Sequence, residues 1–431
     1  MLRIMPLVLL VACLWPGPAQ ALTFTPSSFD DAPDNNVGDG ICASTLPGNP
    51  CTLRAAIQEA NTTVAADTVL LNGGTYTLSI PGAAENASAT GDLDVSQSLN
   101  ILPGTPGVLT TIDGGGLDRV LHVIGGDAFN LSGVIIRNGA AIVSASYSGG
   151  GLLLTNAGDN LIAYSLIEDN VANNGGGLFI AGAGNRTRIW FSILRRNQAN
   201  GNLGFTNPEG NAIRVFGDAE LRLEQVSVYD NSLIGSGSGE LAAIAASSAS
   251  LTAFSSTIDG DSHRGISTYN SNVVLGNVSI TDNAVIGLRW GRFSSAVSVG
   301  LFMRNSIVAG NGQDCNLSDP DGGAIDIDGH NIDSDGGCGL SAAPAYGNLI
   351  HVPLDWMLGP LNTNALLPAR FPFPDGPAHD TGSPLDTTLG NPEACFRYDQ
   401  LGVDRSSNGP CDIGAVEAVH LFGNGFEGII I

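Results

Sequence analysis

The hydrophobic pattern of the chain is dominated by one short phrase that occurs seven times between residues 130 and 311. In each copy an aliphatic residue stands three positions before an Asn or Asp, and a small or β-branched residue stands two positions before the aliphatic one. The aliphatic residues are Ile135, Ile167, Leu194, Val228, Ile258, Ile280 and Val308, and the copies end on Asn138, Asn170, Asn197, Asn231, Asp261, Asn283 and Asn311. Successive copies end 22 to 34 residues apart, a spacing typical of repeat architectures.

Each copy is short, rich in β-branched residues and bounded by turn formers, so it predicts a strand. Gly-rich steps such as 149–151 and 175–177 separate several copies, and glycine permits the positive φ angles of a sharp corner. One such unit could not bury its apolar side alone, whereas stacked units bury a continuous core. The pattern therefore predicts an all-β fold, a right-handed parallel β-helix with the seven aliphatic residues inside.

Two polar columns accompany the aliphatic one. We expect the terminal Asn residues to stack at a corner and to hydrogen-bond along it, because Asn suits corners. The residues before the first four of them alternate in charge: Arg137, Asp169, Arg196 and Asp230. Stacked about 4.8 Å apart they would form exposed ion pairs, each contributing less than about 1 kcal/mol and keeping the coils in register.

The two ends of the chain lack the phrase. Residues 1–21 have the charged start, apolar run and small-residue site of a signal peptide, and a lipoprotein processing site at Cys13 is the alternative. Residues 22–66 form an N-terminal cap, in which Leu53, Ala56, Ile57 and Ala60 have helical spacing. Residues 67–340 are predicted to be the β-helix. Residues 341–431 are predicted to be a C-terminal cap over the last coil, with Trp356, Phe371 and Phe373 as a small core.

Six of the seven cysteines fall into close pairs, once Cys13 is removed with the signal peptide. Local pairing is the simplest of the 15 connectivities and gives the bridges Cys42–Cys51, Cys315–Cys338 and Cys395–Cys411. No pair has the spacing of a zinc or redox site. Structural disulfides are typical of exported proteins.

Composition excludes several kinds of chemistry. All 17 basic residues are Arg, and without Lys there is no Schiff base, lysine base or P-loop. The net charge of −24 argues against nucleic acid and anionic membranes as partners. No run of about 20 apolar residues follows the signal peptide, so the sequence predicts no transmembrane span.

An Asp-x-Asp-Gly pattern recurs three times at seven-residue intervals after the last copy of the phrase. Its carboxylates on tight turns are the hard oxygen ligands that Ca²⁺ prefers, although the spacing is not that of an EF-hand. A plain acidic turn region closed by Cys315–Cys338 is the alternative. The six candidate calcium ligands are Asp319, Asp321, Asp326, Asp328, Asp333 and Asp335.

The densest group of catalytic side chains is Asp259, Asp261, His263 and Arg264. Two carboxylates, an imidazole and a guanidinium could cleave a glycosidic bond by acid–base chemistry, and the stretch is vaguely similar to acidic and His-Gly stretches of β-helix polygalacturonases. Those enzymes, however, spread their carboxylates over adjacent coils. A charged turn without catalytic function is the alternative.

Several stretches resemble a family of exported bacterial β-helix proteins. Residues 51–57 are similar to the CSLREA motif, with Ala55 where that motif has Glu, and residues 67–76 and 111–119 are similar to the first coils of the same proteins. The later phrases resemble repeats of polymorphic outer-membrane proteins. Residues 380–384, 399–402 and 411–417 resemble a C-terminal choice-of-anchor region, and residues 421–427 resemble a terminal signature of exported proteobacterial proteins.

This resemblance implies architecture and export but no defined activity. The sequence therefore favours a secreted or cell-surface bacterial protein, a non-catalytic rod that binds polysaccharide or another cell-surface component. The alternative is a polysaccharide lyase or glycoside hydrolase, similar to pectate lyases or polygalacturonases, that acts in a groove on the rod. No cofactor is expected apart from the possible Ca²⁺.

Overall fold

The computed structural model describes residues 20–83, 85–142, 148–200, 210–235, 241–292, 298–320, 322–385, 391, 393–405 and 410–418. The predicted signal peptide, the Cys13 alternative and the C-terminal signature lie outside these ranges. Within them, no helix has the length and apolarity to cross a membrane.

Three faces of parallel strands wind around one interior, and neighbouring coils pair in register. Four ten-residue strands bend once and belong to two faces, which we name face A and face B: β16 (Arg186–Arg195), β19 (Glu220–Tyr229), β22 (Ser250–Asp259) and β24 (Asn272–Thr281).

The remaining strands of face A are β1 (Thr23–Phe24), β2 (Asp67–Leu71), β5 (Leu99–Pro103), β8 (Ala128–Ser132), β12 (Asp159–Ala163), β26 (Leu301–Arg304) and β29 (Ile325–Asp326). Those of face B are β3 (Thr75–Thr77), β6 (Thr110–Asp113), β9 (Val134–Arg137), β13 (Leu166–Glu168), β27 (Ile307–Ala309) and β30 (Ile332–Asp333).

The third face, face C, has strands of its own throughout. They are β4 (Leu93–Val95), β7 (Leu121–Val123), β11 (Leu152–Leu154), β15 (Leu178–Ala181), β18 (Gly210–Phe216), β21 (Ala242–Ser247), β23 (Arg264–Tyr269), β25 (Ile286–Gly291) and β28 (Cys315–Ser318). A short ladder after face B contains β10 (Ala140–Ala141), β14 (Val171–Ala172), β17 (Gln198–Asn200) and β20 (Ser232–Ile234). The predicted parallel β-helix is confirmed.

Six of the seven predicted aliphatic residues form one inward column, and the first copy of the phrase is displaced by one residue. Ile136, not Ile135, pairs in register with Ile167, and Ile136 is fully buried whereas Ile135 is not. The prediction for Ile135 was wrong because Val134, Ile135 and Ile136 are all aliphatic, and only the pleat decides which of them points inward.

The Asn residues form the predicted hydrogen-bonded ladder. Asn170 Nδ2 donates to Asn197 Oδ1 at 3.0 Å, Asn197 Nδ2 to Asn231 Oδ1 at 3.1 Å, and Asn283 Nδ2 to Asn311 Oδ1 at 2.9 Å. Asn138 is not a member: Gly139 stands in its place and donates its backbone N–H to Asn170. The corner therefore consists of buried amides that each satisfy the next coil.

Two of the four alternating charges, Asp169 and Arg196, pair with each other across coils as predicted, and the first copy is again displaced by one residue. Arg196 binds Asp169 at 2.8 Å and Glu168 at 2.5 Å. Arg137 is in register with Glu168 and binds Asp113 at 2.8 Å on the preceding coil.

Helix α1 (Leu53–Ala60) covers the first coil. Thr52 caps it, accepting a hydrogen bond from the backbone N–H of Ala55 at 3.1 Å, and all eight helical residues are buried. The apolar side predicted from Leu53, Ala56, Ile57 and Ala60 joins the main core.

The C-terminal region, 341–418, contains a 3-10 turn (Pro344–Tyr346) and helix α2 (Leu354–Met357). It packs on the last coil, where Met357, Leu358 and Ile413 meet Ile307 and Ile332. The region also extends back along face B to β19, which the sequence did not predict.

The core predicted for this region was wrong in two of its three residues. Trp356 is 67% exposed and Phe373 is 41% exposed, while Phe371 packs beside Ala369 and Val416. The three predicted disulfides, Cys42–Cys51, Cys315–Cys338 and Cys395–Cys411, are present.

Candidate functional site: the groove on face A

The C-terminal region covers one of the faces and leaves another open. Ser227 and Ser255, on the outer side of face B and at its edge, donate to the backbone carbonyls of Pro368 and Tyr398 at 2.7 and 2.6 Å. Strands β12 to β22 of face A instead present side chains to solvent, among them Arg188 and Arg222 with nearly half of each side chain exposed. Face A of these strands is therefore accessible to a long ligand.

Alternation along the strands gives face A one outward column that begins at Asp159 and Arg186 and two more outward columns nearer the bend into face B. Of these two, one contains Leu161, Arg188, Arg222, Thr252, Val274 and Phe302, and the other contains Ala163, Trp190, Glu224, Phe254, Gly276 and Arg304. The residues between these positions point into the core. Because coils stack about 4.8 Å apart, aromatic and arginine side chains recur along the rod on one surface.

The bend between faces A and B places a further column beside these two. Seven stacked residues there have positive φ angles: Gly133, Tyr164, Phe191, Gln225, Ser255, Asn277 and Asn305. Bulky residues rarely adopt this conformation, yet Tyr164 has φ 50° and Phe191 φ 47°. Tyr164 is 48% exposed, so core packing does not explain an aromatic residue at this strained position, and such strain is a feature of binding sites.

Tyr164, Trp190 and Phe191 form an aromatic cluster on neighbouring coils. The Tyr164 ring lies 4.9 Å from that of Trp190 and 5.4 Å from that of Phe191. Trp190 is held from the next coil, since its Nε1 donates to Gln225 Oε1 at 2.8 Å, and the Arg188 guanidinium lies 5.6 Å from its ring centre. The cluster is a fixed apolar platform with a cation at its edge.

A second aromatic pair narrows the groove further along the rod. Phe254 stacks on Phe396 of the C-terminal region, with ring centres 4.8 Å apart and planes at 5°, and the Arg222 guanidinium lies 4.9 Å from the Phe254 ring. Phe396 and Arg397 therefore form a wall over a floor of Phe254, Gly276 and Phe302. The space between them has a volume of about 280 Å³.

The open part of the groove has a volume of about 460 Å³ and crosses β8, β12, β16, β19 and β22. Arg188, whose guanidinium lies over the Trp190 ring, connects the lining of the groove to the aromatic cluster. Each arginine of the groove is paired with a carboxylate, across coils for Arg186 and Arg188 and within β19 for Arg222. Arg188 and Arg222 both bind Glu224, and Arg186 binds Asp159 at 2.6 Å. This hydrogen bond from Arg186 lowers the pKa of Asp159, which is the opposite of what a general acid needs.

The structure separates the four predicted catalytic residues. Asp259 is buried under the C-terminal region, where Arg370 binds it at 2.5 Å and Thr281 donates to it at 2.5 Å. Burial raises the pKa of Asp259, although the contacts with Arg370 and Thr281 lower it. Asp261 is fully buried in the Asn ladder and accepts from the backbone N–H of Asn231 at 2.7 Å, and burial raises its pKa well above the usual range.

The other two of the four lie on the far side of this corner. His263 is half-buried beside the Ser262 hydroxyl, with 3.0 Å between Nδ1 and Oγ, and burial lowers its pKa. Arg264 begins strand β23 of face C. Asp259 and Asp261 therefore serve two separate buried hydrogen-bond networks.

The described members of the Asp-x-Asp-Gly series each have their own protein partners. Asp319 binds Arg292 at 2.5 Å, Asp326 binds Arg304 at 2.6 Å, and Asp328 accepts from the Ser341 backbone N–H at 3.0 Å. Asp333 accepts three backbone N–H bonds, from Gly336, Cys338 and His351.

The last two complete the series. Asp335 accepts from the Asp314 backbone N–H at 3.0 Å, and Asp321 lies outside the described residues. Among the described residues, potential metal-ligand atoms within 4.8 Å of one another occur instead in two other groups: Asp92, Asp94 and His122, and His379, Asp380 and Asp412.

The groove was not predicted from the sequence, although the sequence contains a signal for it. In the second to seventh copies, one residue stands directly before the small or β-branched residue that begins the phrase. These residues are, in order, Tyr164, Phe191, Gln225, Ser255, Asn277 and Asn305. Two aromatic residues at a position otherwise occupied by small or polar ones indicate a special surface. The fixed distance from the phrase could have placed them at one corner.

Comparisons with known proteins add little to this picture. No protein-family model matches the chain, and no curated protein matches it in sequence. The crystal structure of pectate lyase Pel9A is similar, at 14% sequence identity and a TM-score of 0.49, with 94% of this chain and 98% of that chain covered. A likeness at this level carries no argument about activity, and the fold rests on the strand pairing described above.

Proposed function

We propose that the protein is an exported, non-catalytic β-helical rod that binds a segment of polysaccharide along face A. The observation that carries the proposal is the fixed aromatic cluster of Tyr164, Trp190 and Phe191 at a strained, solvent-exposed corner beside an open groove. The apolar face of a sugar ring can stack on such a platform. Paired Arg and carboxylate side chains in the groove offer hydrogen bonds to hydroxyl groups.

Charge supports a glycan over other linear polymers. The whole chain has a net charge of −24, which disfavours polyanions, whereas the charges lining the groove occur in opposite-sign pairs. A neutral or sparsely charged polysaccharide therefore fits better than a bare polyuronate. Export is supported by the three disulfides, because such bonds persist in oxidising compartments.

Binding without cleavage is supported by the state of the groove side chains. A glycoside hydrolase needs one carboxyl group with a raised pKa to protonate the leaving oxygen. Among the described carboxyl groups, those with raised pKa values are buried elsewhere, such as Asp259 and Asp261, while the pKa of Asp159 in the groove is lowered.

The test is a binding panel of neutral and acidic polysaccharides, read by affinity electrophoresis and calorimetry. Tyr164→Ala and Trp190→Ala are expected to weaken binding about fivefold or more, since one aromatic stacking contact is worth roughly 1–3 kcal/mol. Phe216→Ala is the matched control, because Phe216 on face C is also 48% exposed and also lies beside an arginine, Arg214. Equal weakening by Phe216→Ala, or no binding anywhere in the panel, would contradict the proposal.

The second candidate is a polysaccharide lyase or glycoside hydrolase that uses the same groove. It is favoured by one observation: Asp159 and the arginines 186, 188 and 222 line the groove from adjacent coils, and Glu224 binds the last two of these arginines. Incubation with the same panel, read by new reducing ends and by absorbance of unsaturated uronates, decides between the two. Product formation that Glu224→Gln abolishes would establish the enzyme and remove the non-catalytic proposal.

A further inference from the structure

Three acidic side chains and a histidine meet at the junction of helix α1 and face C, and none of the four lines the groove on face A. Asp94 lies in the middle of β4 and is in register with His122 of β7. Asp92 stands just before β4, and Asp118 lies in the turn before β7. Asp92, Asp94 and His122 each offer a ligand atom, and these atoms lie within 4.8 Å of one another.

Several atoms of this cluster have no protein partner. Asp94 is fully buried, and its Oδ1 receives no hydrogen bond from any described residue, although it lies 3.3 Å from His122 Nδ1, which is likewise unpartnered. Asp118 is 2% exposed, and its Oδ2 is also without a partner in the described chain. Buried polar atoms in native proteins are almost always satisfied, so these atoms point to a missing ligand.

The orientation of His122 fits a metal ligand. Its Nε2 lies 3.4 Å from the Thr155 hydroxyl, and in the tautomer with hydrogen on Nε2 this nitrogen donates to Thr155. The lone pair of Nδ1 then faces Asp94 Oδ1, so two acceptors oppose each other. Metal-bound histidines commonly donate their second ring N–H to such an outer partner.

Acidic groups outnumber basic groups in the cluster. The guanidinium of Arg119 binds Asp92 Oδ2 at 3.1 Å, whereas Asp94 and Asp118 each keep one buried oxygen without a hydrogen-bond partner among the described residues. Buried carboxyl groups are commonly paired or coordinate metals.

Helix α1 holds the loop that carries these carboxylates. Arg54 donates to the backbone carbonyls of Gly91 and Asp92 at 2.8 and 3.1 Å, and Asn61 Nδ2 donates to the Asp94 carbonyl at 2.8 Å. The second oxygen of Asp94 accepts from the Ser88 backbone N–H at 2.9 Å. The donor positions are therefore fixed before any ion binds.

We propose that Asp92, Asp94 and His122 bind one divalent transition-metal ion of the zinc class, with Asp118 as an outer carboxylate. A mixed carboxylate and imidazole set suits Zn²⁺, whereas Ca²⁺ takes six to eight oxygen ligands. The side chain of His122 is 12% exposed, which gives the ion a way in. The bound ion links the first coils to the loop beneath helix α1 and stabilises that end of the rod.

The second group of possible ligands provides a contrast. In the group of His379, Asp380 and Asp412, both oxygens of Asp412 accept backbone N–H bonds, from Asp380 at 2.7 Å and from Ala418. This carboxylate is satisfied without an ion. His379→Gln is therefore the matched control for His122→Gln.

The experiment measures metal uptake by the purified chain without a histidine tag. After exposure to EDTA and dialysis against Zn²⁺, Mn²⁺ or Ca²⁺, elemental analysis and calorimetry are expected to give one Zn²⁺ per chain. His122→Gln and Asp94→Asn should weaken zinc binding at least tenfold, and His379→Gln should leave it unchanged. EDTA should lower the Tm of the wild type but not that of the two variants.

Thr155→Val is a second test in case the ligand variants misfold. Thr155 is exposed, so its replacement should leave the fold intact while it removes the outer partner of His122. Loss of an outer partner typically weakens metal binding by 10- to 100-fold. No zinc uptake by the wild type would overturn the proposal. The proposal would also be overturned if His379→Gln abolished zinc uptake while His122→Gln and Thr155→Val left it intact.

Discussion

Faces A and B are built by the same four long strands, yet their outer surfaces differ in kind. On face A the outward positions of these strands include Arg188, Trp190, Arg222 and Phe254. On face B, after the bend, the corresponding strands present Ser227, Thr257 and Ser279, which bind the C-terminal region through short hydrogen bonds. The outward side chains are thus small and carry hydroxyl groups where the C-terminal region covers face B, whereas they are large and planar on the open face A.

The difference shows how one solenoid separates stability from recognition. Covering face B buries polar groups that must all be satisfied, which fixes the position of the C-terminal region. That region in turn supplies Phe396 and Arg397 as a wall of the groove on face A. The two faces are therefore coupled, and variants on each should have distinct effects.

The largest effect is expected from removing the disulfide that staples the cover of face B. Cys395→Ser with Cys411→Ser opens a loop of 16 residues, for which the loss is about 3 kcal/mol. We expect the C-terminal region to detach before the coils unfold, giving a separate early transition in calorimetry and faster proteolysis near residues 391–405. A single unchanged transition would show that the cover does not depend on this bond.

A smaller loss is expected from Gln400→Ala, at the centre of the same interface. Gln400 is fully buried; it accepts from Thr257 Oγ1 at 2.6 Å and donates to Ser227 Oγ at 2.8 Å and to the Pro368 carbonyl at 3.0 Å. Leaving these partners unsatisfied should reduce the free energy of unfolding by about 1–3 kcal/mol.

Trp190→Ala on face A is the counterpart of this change. Trp190 is only partly buried, so its removal should lower stability less than Gln400→Ala does, while it reduces glycan binding more. Chemical denaturation of both variants measures the loss of stability, and the binding panel measures the loss of glycan binding. If the two variants changed stability and binding in the same proportion, the division of labour between the faces would be refuted.

The cover of face B should also weaken as the pH rises. Burial raises the pKa of Glu417 from its usual 4.5 to about 7, outweighing the attraction of its partner Arg405. A carboxyl group with a raised folded-state pKa contributes stability below its unfolded pKa and loses that contribution as the pH passes the folded pKa. Stability should therefore fall between about pH 4.5 and pH 7.

Glu417→Gln tests this pH dependence. In this variant Tm should fall less steeply with rising pH than in the wild type, because residue 417 no longer titrates. Glu220→Gln on face A serves as the control, because Glu220 is exposed. A slope that Glu417→Gln leaves unchanged would assign the pH dependence to other groups.

The smallest effect is a stabilisation. Asp261 takes the place of an Asn in the buried ladder at the edge of face B, and its Oδ2 has no hydrogen-bond partner among the described residues. Asp261→Asn supplies an N–H₂ group there, which can donate to Asn283 as the other rungs do. The expected gain is about 1 kcal/mol, measured by chemical denaturation at pH 7. A loss of stability would mean that the acid has a role other than that of a ladder member.

Part of the candidate site could be predicted from the sequence, and part could not. The phrase placed the coils, their inward aliphatic residues and their Asn ladder, because a strand alternates with period two. The same alternation left the first copy ambiguous, since Ile135 and Ile136 are both apolar. The cluster of Asp92, Asp94 and His122 could not be found, because no local pattern joins residues 28 positions apart that only a coil of the solenoid brings into register.

By itself, the sequence determined the β-helix, the capping helix, the three disulfides and the absence of lysine chemistry, since each depends on local spacing or composition. Only the tertiary structure decided that the C-terminal region lies along face B, that face A stays open, and that unpartnered carboxylates meet His122. These outcomes depend on which outward columns are covered. A periodic chain offers three similar faces, and the choice among them is made by side chains from distant segments.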